Sequence, residues 1–96
     1  MDESVFISLC REHMAALYRM AASILRSPPD AEDAVQQALL NAWAARKKAS
    51  PGLEKAWLMR ITVRCCYDQL RAKKREAQLL TIKNSEFNGG IDEYEF

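Results

Sequence analysis

Three prolines, three glycines and a single histidine in 96 residues leave the chain few places to turn and almost no imidazole for catalysis or metal binding. No apolar run approaches the roughly 20 residues that a membrane-crossing helix requires. The acidic opening Met1-Asp2-Glu3 has the wrong sign for a secretory leader. A cytoplasmic location without membrane contact is therefore expected. Cysteine is scarce too. Cys10, Cys65 and Cys66 are odd in number and form no CxxC, and neighbouring cysteines on a helix bridge poorly. They read as reduced thiols serving as small core residues. Nucleophile–base pairings, phosphate-cradling glycine loops and metal-ligand spacings are all missing, so neither an enzyme nor a cofactor or metal site is expected.

What is present describes one ordinary domain. Hydrophobic residues make up 49% and charged residues 28%, a balance that suits a packed globular core rather than disorder. The breaks are Ser27-Pro28-Pro29-Asp30, Ser50-Pro51-Gly52 and Asn88-Gly89-Gly90. Between them the apolar period is helical. From about Ser4 to Arg26 the stripe is Phe6, Leu9, Cys10, Met14, Leu17, Ala21 and Ile24. A second helix opens with Asp30 as N-cap and runs through Ala31, Val35, Ala38, Leu39, Ala42 and Trp43. A third starts at Pro51, a favoured first-turn residue, and continues to about Leu80 with Leu58, Ile61, Cys65 and Ala72 inward. The expected architecture is all-α, a three-helix bundle over residues 1–80. Residues 81–96 read as an acidic, mobile tail or linker.

The net charge of +1 conceals a strong asymmetry. Residues 46–75 carry ten Lys or Arg against Glu54 and Asp68, a local +8, while the segments on either side are acidic. Such a block generates the field that attracts phosphates.

Two helix faces stand out. On the second helix, the residues opposite the apolar stripe include Asp33, Gln36, Gln37 and Leu40. Solvated helix faces usually carry Glu and Lys. This one offers short, mostly uncharged groups around a leucine, which suits a partner helix that need not desolvate charge. Leu40 reads equally well as cover for a neighbouring helix end. On the third helix, Trp57, Arg60, Arg64, Tyr67, Arg71 and Lys74 are spaced 3, 4, 3, 4, 3 on one face, and Arg75 continues them. Cations of this kind satisfy phosphates, and aromatic faces stack on bases that have left a duplex. A solvated face would mix signs, yet Asp68 is the sole acid nearby. Trp57 and Tyr67 also read as edge-of-core residues. The loop Arg46-Lys47-Lys48-Ala49-Ser50-Pro51-Gly52 suits close approach to a phosphate or an extruded base.

At these residues the chain resembles a known family. Residues 30–43, DAEDAVQQALLNAW, resemble the polymerase-binding helix of bacterial sigma factors of the extracytoplasmic-function group. Trp57-Leu58-Met59-Arg60-Ile61 and Tyr67-Asp68-Gln69-Leu70-Arg71-Ala72-Lys73-Lys74-Arg75 resemble their promoter-reading helix. The resemblance implies that Asp33, Gln36, Gln37, Leu40 and Asn41 would face the clamp helices of the beta-prime subunit of core RNA polymerase. Arg60, Arg64, Arg71 and Lys74 would meet the minus-ten region of promoter DNA. Loop 46–52 would lie where family members capture a flipped base, and an anti-sigma protein would cover the same surfaces. There are departures. Arg64 stands where asparagine is common, Lys48 and Ala49 replace an aromatic, and no minus-thirty-five-binding domain follows in these 96 residues. A second reading is a helical module that binds polymerase or an anti-sigma protein without opening DNA, its acidic tail folded over the cationic stripe.

Overall fold

The computed structural model describes residues 1–87. Three α-helices account for most of them: α1 (Glu3–Leu25), α2 (Pro28–Ala44) and α3 (Glu54–Phe87), with one 3₁₀ turn at Arg46–Lys48 between α2 and α3. No strand occurs among the described residues. None of the described helices is long and apolar enough to cross a membrane.

Each helix end has a local cause. Asp2 caps α1, its carboxylate accepting from the Val5 N–H at 2.9 Å. At the other end Arg26 takes the left-handed conformation (φ 54°, ψ 33°) and donates its N–H to the Ala22 carbonyl at 2.8 Å, the reversal that usually falls to glycine. Ser27 is extended, as a residue before proline must be. Pro28 and Pro29 then occupy first-turn positions, where no N–H is needed. Ser27 rather than Asp30 is the N-cap of α2: the Asp30 N–H points to the Ser27 hydroxyl at 3.5 Å, and the Ala31 N–H donates to the Ser27 carbonyl at 2.8 Å. Asp30 is freed for another partner.

Pro51 does not begin α3 either. Pro51 and Gly52 are the centre of a turn closed by the Leu53 N–H donating to the Ser50 carbonyl at 3.0 Å. Gly52 has φ +84°, the positive value that a type II turn requires after a proline. The helix starts only past that turn, where the Trp57 N–H reaches the Leu53 carbonyl at 3.0 Å. At its far end α3 runs to Phe87 instead of stopping near Leu80. Residues 81–87 of the expected tail are therefore helical, and the rest of that segment, with the Asn88-Gly89-Gly90 break, lies outside the described residues.

All three helices pack on one another around Leu17, Ala21, Ala34, Val35, Ala38, Ala42, Leu58 and Cys66, each almost completely removed from solvent. Leu25, Ala34 and Thr62 join the core beyond the expected residues, while Leu9, Met14, Ile24, Leu39 and Ile61 are only partly buried and Trp43 and Ala72 are exposed. The reason is that α3 is contacted by α1 and by α2, so its buried arc is wider than one stripe, and that arc ends before Arg71. Thr62 is tolerated there because its hydroxyl donates to the Leu58 carbonyl at 2.9 Å. The three cysteines are free and buried, and burial is the main influence raising each thiol above its ordinary value.

Leu17→Ala and Leu58→Ala are each expected to lower stability by about 2–5 kcal/mol. Leu79, exposed on the stretch of α3 that packs on neither neighbour, should cost no more than about 0.5 kcal/mol when changed to Ala. Urea denaturation followed by helicity measures all three.

Candidate functional site

The stripe on the inner side of α2 consists of small residues, so the helix lies close to its neighbours and turns its remaining surface outward. Asp33, Gln36, Gln37, Leu40 and Asn41 are all exposed on that surface. Leu40 is 65% exposed, so it covers no neighbouring helix end. The amides are partly organised: Gln37 Nε2 donates to Asn41 Oδ1 at 2.9 Å, and Asn41 Nδ2 points to Cys65 Sγ at 3.4 Å. The second contact ties the α2 face to α3. Between them runs an open groove of about 460 Å³, lined by Asp33, Gln37 and Asn41 on one side and by Cys65, Asp68, Gln69 and Ala72 on the other. Sequence reasoning did not include the α3 side of this groove. Its one available signal was Asp68, an isolated acid within a basic block.

On α3, Arg60, Arg64, Tyr67, Arg71, Lys74 and Arg75 are exposed, away from buried Leu58, Thr62 and Cys65. At about 100° per residue they share one side of the helix. Tyr67 is half exposed, with its ring available. Trp57 differs: it is half-buried against the core and presents only part of its ring. Arg71 is ion-paired with Asp68 one turn earlier, so the stripe and the groove meet at that pair.

The expected loop cations divide into two kinds. Lys47 and Lys48 are exposed. Arg46 is committed within the fold: its guanidinium lies 3.7 Å from the centroid of the Trp43 ring, and it donates to the Trp43 carbonyl at 2.8 Å. It thus places positive charge at the C-terminal end of α2, where the helix dipole favours it. Trp43 in turn meets Phe6 edge-to-face at 5.2 Å, which joins this end of α2 to α1.

At the opposite end of α2, Asp30 is ion-paired with Lys73 of α3. The hydrogen bond from Lys73 is the main reason the Asp30 carboxyl is held below the ordinary carboxylate range; the Ser27 hydroxyl and the Lys73 charge act in the same direction, and partial desolvation opposes them. Among the described residues no group of three or more His, Cys, Asp or Glu converges as a metal site.

The sigma-70 region 2 family model matches residues 9–76. Among curated proteins, the ECF RNA polymerase sigma factor SigM of Mycobacterium tuberculosis is 38% identical over 74 residues, covering 76% of this chain and 38% of that protein. SigE of Mycolicibacterium smegmatis is 31% identical over 67 residues (70% of this chain, 26% of that protein), and SigG of M. tuberculosis is 39% identical over 66 residues (68% and 17%). The chain therefore spans well under half the length of these relatives. No solved structure gives a significant match.

Because the Asp30 carboxyl is depressed only in the folded state, its contribution to stability is complete above the ordinary aspartate pKa, near 3.9. It is lost as pH falls through the lower, folded value. Denaturation measured from neutral pH down to about pH 3 should show a stability loss in the native chain that is smaller in Asp30→Asn. Equal acid sensitivity in both would remove Asp30–Lys73 as a clasp between α2 and α3.

Proposed function

The chain belongs to the sigma-70 region 2 family, in the extracytoplasmic-function group, and from that membership we propose that it docks on core RNA polymerase through α2 and engages promoter DNA through α3. The observation that carries this reading is the outward display of two chemically distinct surfaces on one bundle. One is a nearly uncharged face around Leu40; the other is a row of exposed cations from Arg60 to Arg75.

Asp33, Gln36, Gln37, Leu40 and Asn41 would meet the clamp helices of the beta-prime subunit. Leu40 supplies the apolar anchor, and the amides exchange water for partner hydrogen bonds without stripping a full charge of its hydration. The groove beside Gln37 and Asn41 gives the partner a depression to fill. Arg60, Arg64, Arg71 and Lys74 would hold the backbone of the minus-ten element, with Tyr67 offering a stacking face to an unpaired base. Lys47 and Lys48 would add charge from the loop. Opening a duplex needs no catalytic group. Strand separation follows when contacts to the opened strand offset the few kcal/mol per step lost on unstacking. This work belongs in the cytosol, and an anti-sigma protein that covered the same faces would silence it.

Gln36→Ala combined with Leu40→Glu should abolish capture by core polymerase while leaving helicity unchanged, as measured by co-purification and circular dichroism. Capture by the folded double variant would overturn the assignment of α2. For α3, DNA affinity should fall steeply with salt because bound phosphates release counterions. Arg60→Ala with Arg64→Ala should flatten that slope by about two contacts. A slope unchanged by the substitutions would remove the stripe from the DNA surface.

A further inference from the structure

We propose that the projecting end of α3 pairs, antiparallel, with the same segment of a second copy of this chain. The pairing is centred on Leu79, Leu80 and Ile82 and is independent of the polymerase and DNA readings.

Lys73 still reaches a neighbour, Asp30 of α2, but α3 then continues to Phe87, roughly four turns further. This projection makes the molecule long. Its extents are 58 × 22 × 17 Å and its radius of gyration is 18.1 Å, where a compact domain of this length has about 12 Å. Every residue from Arg71 to Leu80 is exposed. Leu79, Leu80 and Ile82 are 60%, 57% and 54% open to solvent. Single exposed leucines are ordinary on protein surfaces. Three large apolar side chains within one turn, on a stretch of helix with no packed neighbour to hold it, form a patch that a partner would cover.

Charge on either side of the patch selects the partner. Arg71, Lys73, Lys74 and Arg75 precede it, and residues 83–96 carry Lys83 against Glu86, Asp92, Glu93 and Glu95. A parallel copy would set like charges side by side. An antiparallel copy sets each basic block beside the other's acidic sequence, and two-fold symmetry makes every such contact occur twice. Register follows from the helix. With Leu79 of each copy opposite Ile82 of the other, position 75 falls opposite position 86, arginine against glutamate. Arg75 lies about 40° from Leu79 around the helix, so it stands on the pairing side. It is exposed and joins neither of the ion pairs found among the described residues. Three side chains of this size bury less than the roughly 800 Å² per partner of a standard interface. The flanking charges therefore carry a necessary share, and the pair is weak and sensitive to salt.

Sedimentation equilibrium of the full chain at low salt tests the pairing. Monomer at a few micromolar should give way to dimer as concentration rises, with a Kd on the order of 100 µM. Leu79→Gln with Ile82→Gln should weaken association at least about tenfold, while circular dichroism shows helicity unchanged. Arg75→Glu alone and Glu86→Arg alone should each be monomeric over the same range, because each sets like charges opposite one another. An equimolar mixture of these two variants should recover the dimer, since the exchanged charges then meet their opposites. A chain that stays monomeric throughout, its patch solvated or covered by its own tail, overturns the proposal. So does association that survives the glutamine substitutions, which would place the contact elsewhere. A mixture that fails to recover the dimer excludes the antiparallel register and overturns it equally.

Discussion

The arrangement depends on how closely α2 approaches its two neighbours. Its inner side is Ala31, Ala34, Ala38 and Ala42 with Val35, all buried. Methyl groups hold the helix backbone near α1 and α3, whereas larger side chains would push it away. Alanine also has the highest helix propensity, so the same residues favour the helix and its seating. Larger groups from the other helices fill the space that remains: Leu17 from α1 and Leu58 from α3 are almost wholly buried. A helix embedded by such a narrow stripe keeps a broad outer surface. That is why Gln36, Gln37 and Leu40 remain free while the helix that carries them is firmly held.

The ends of α2 are fixed by different chemistry. At one end Asp30 pairs with Lys73; at the other Arg46 closes over Trp43, which abuts Phe6. The first contact ties α2 to α3 and the second ties it to α1. Neither the ion pair nor the cation–ring contact is deeply buried, so each orients helices more than it stabilises them. Apolar packing sets the distance between helices, and the end contacts restrain sliding and rotation.

Much of this was legible from periodicity. The inward series of α2 and the outward row of cations on α3 both follow from 3.6 residues per turn, and the exposed positions of Gln36, Leu40, Arg60, Arg64 and Arg71 agree with it. Helix boundaries were less legible because they turn on competing local bonds. Ser27 and Asp30 are both good caps, and the two intervening prolines decide in favour of Ser27, since they fill first-turn positions without an N–H that needs an acceptor. Pro51 resembled a helix start, but the glycine after it commits the segment to a turn. Tertiary facts were least legible. That Arg46 is spent on Trp43, that Trp57 lies half under its neighbours and that Asn41 reaches Cys65 depend on helices meeting in space, which no spacing along one helix encodes.

Asp68 shows how the two outer surfaces are related. It lines the groove beside the α2 amides and pairs with Arg71 of the cationic row. Both partners are more than half exposed, so water and salt screen their attraction, and such a pair contributes about 0–1 kcal/mol. A phosphate offers Arg71 more acceptor oxygens than a carboxylate does, and it would displace Asp68 at small cost. The released carboxylate would then face the groove without its internal cation. The row of cations and the groove thus meet at one exposed pair, because α3 carries the first and one wall of the second on adjacent sides.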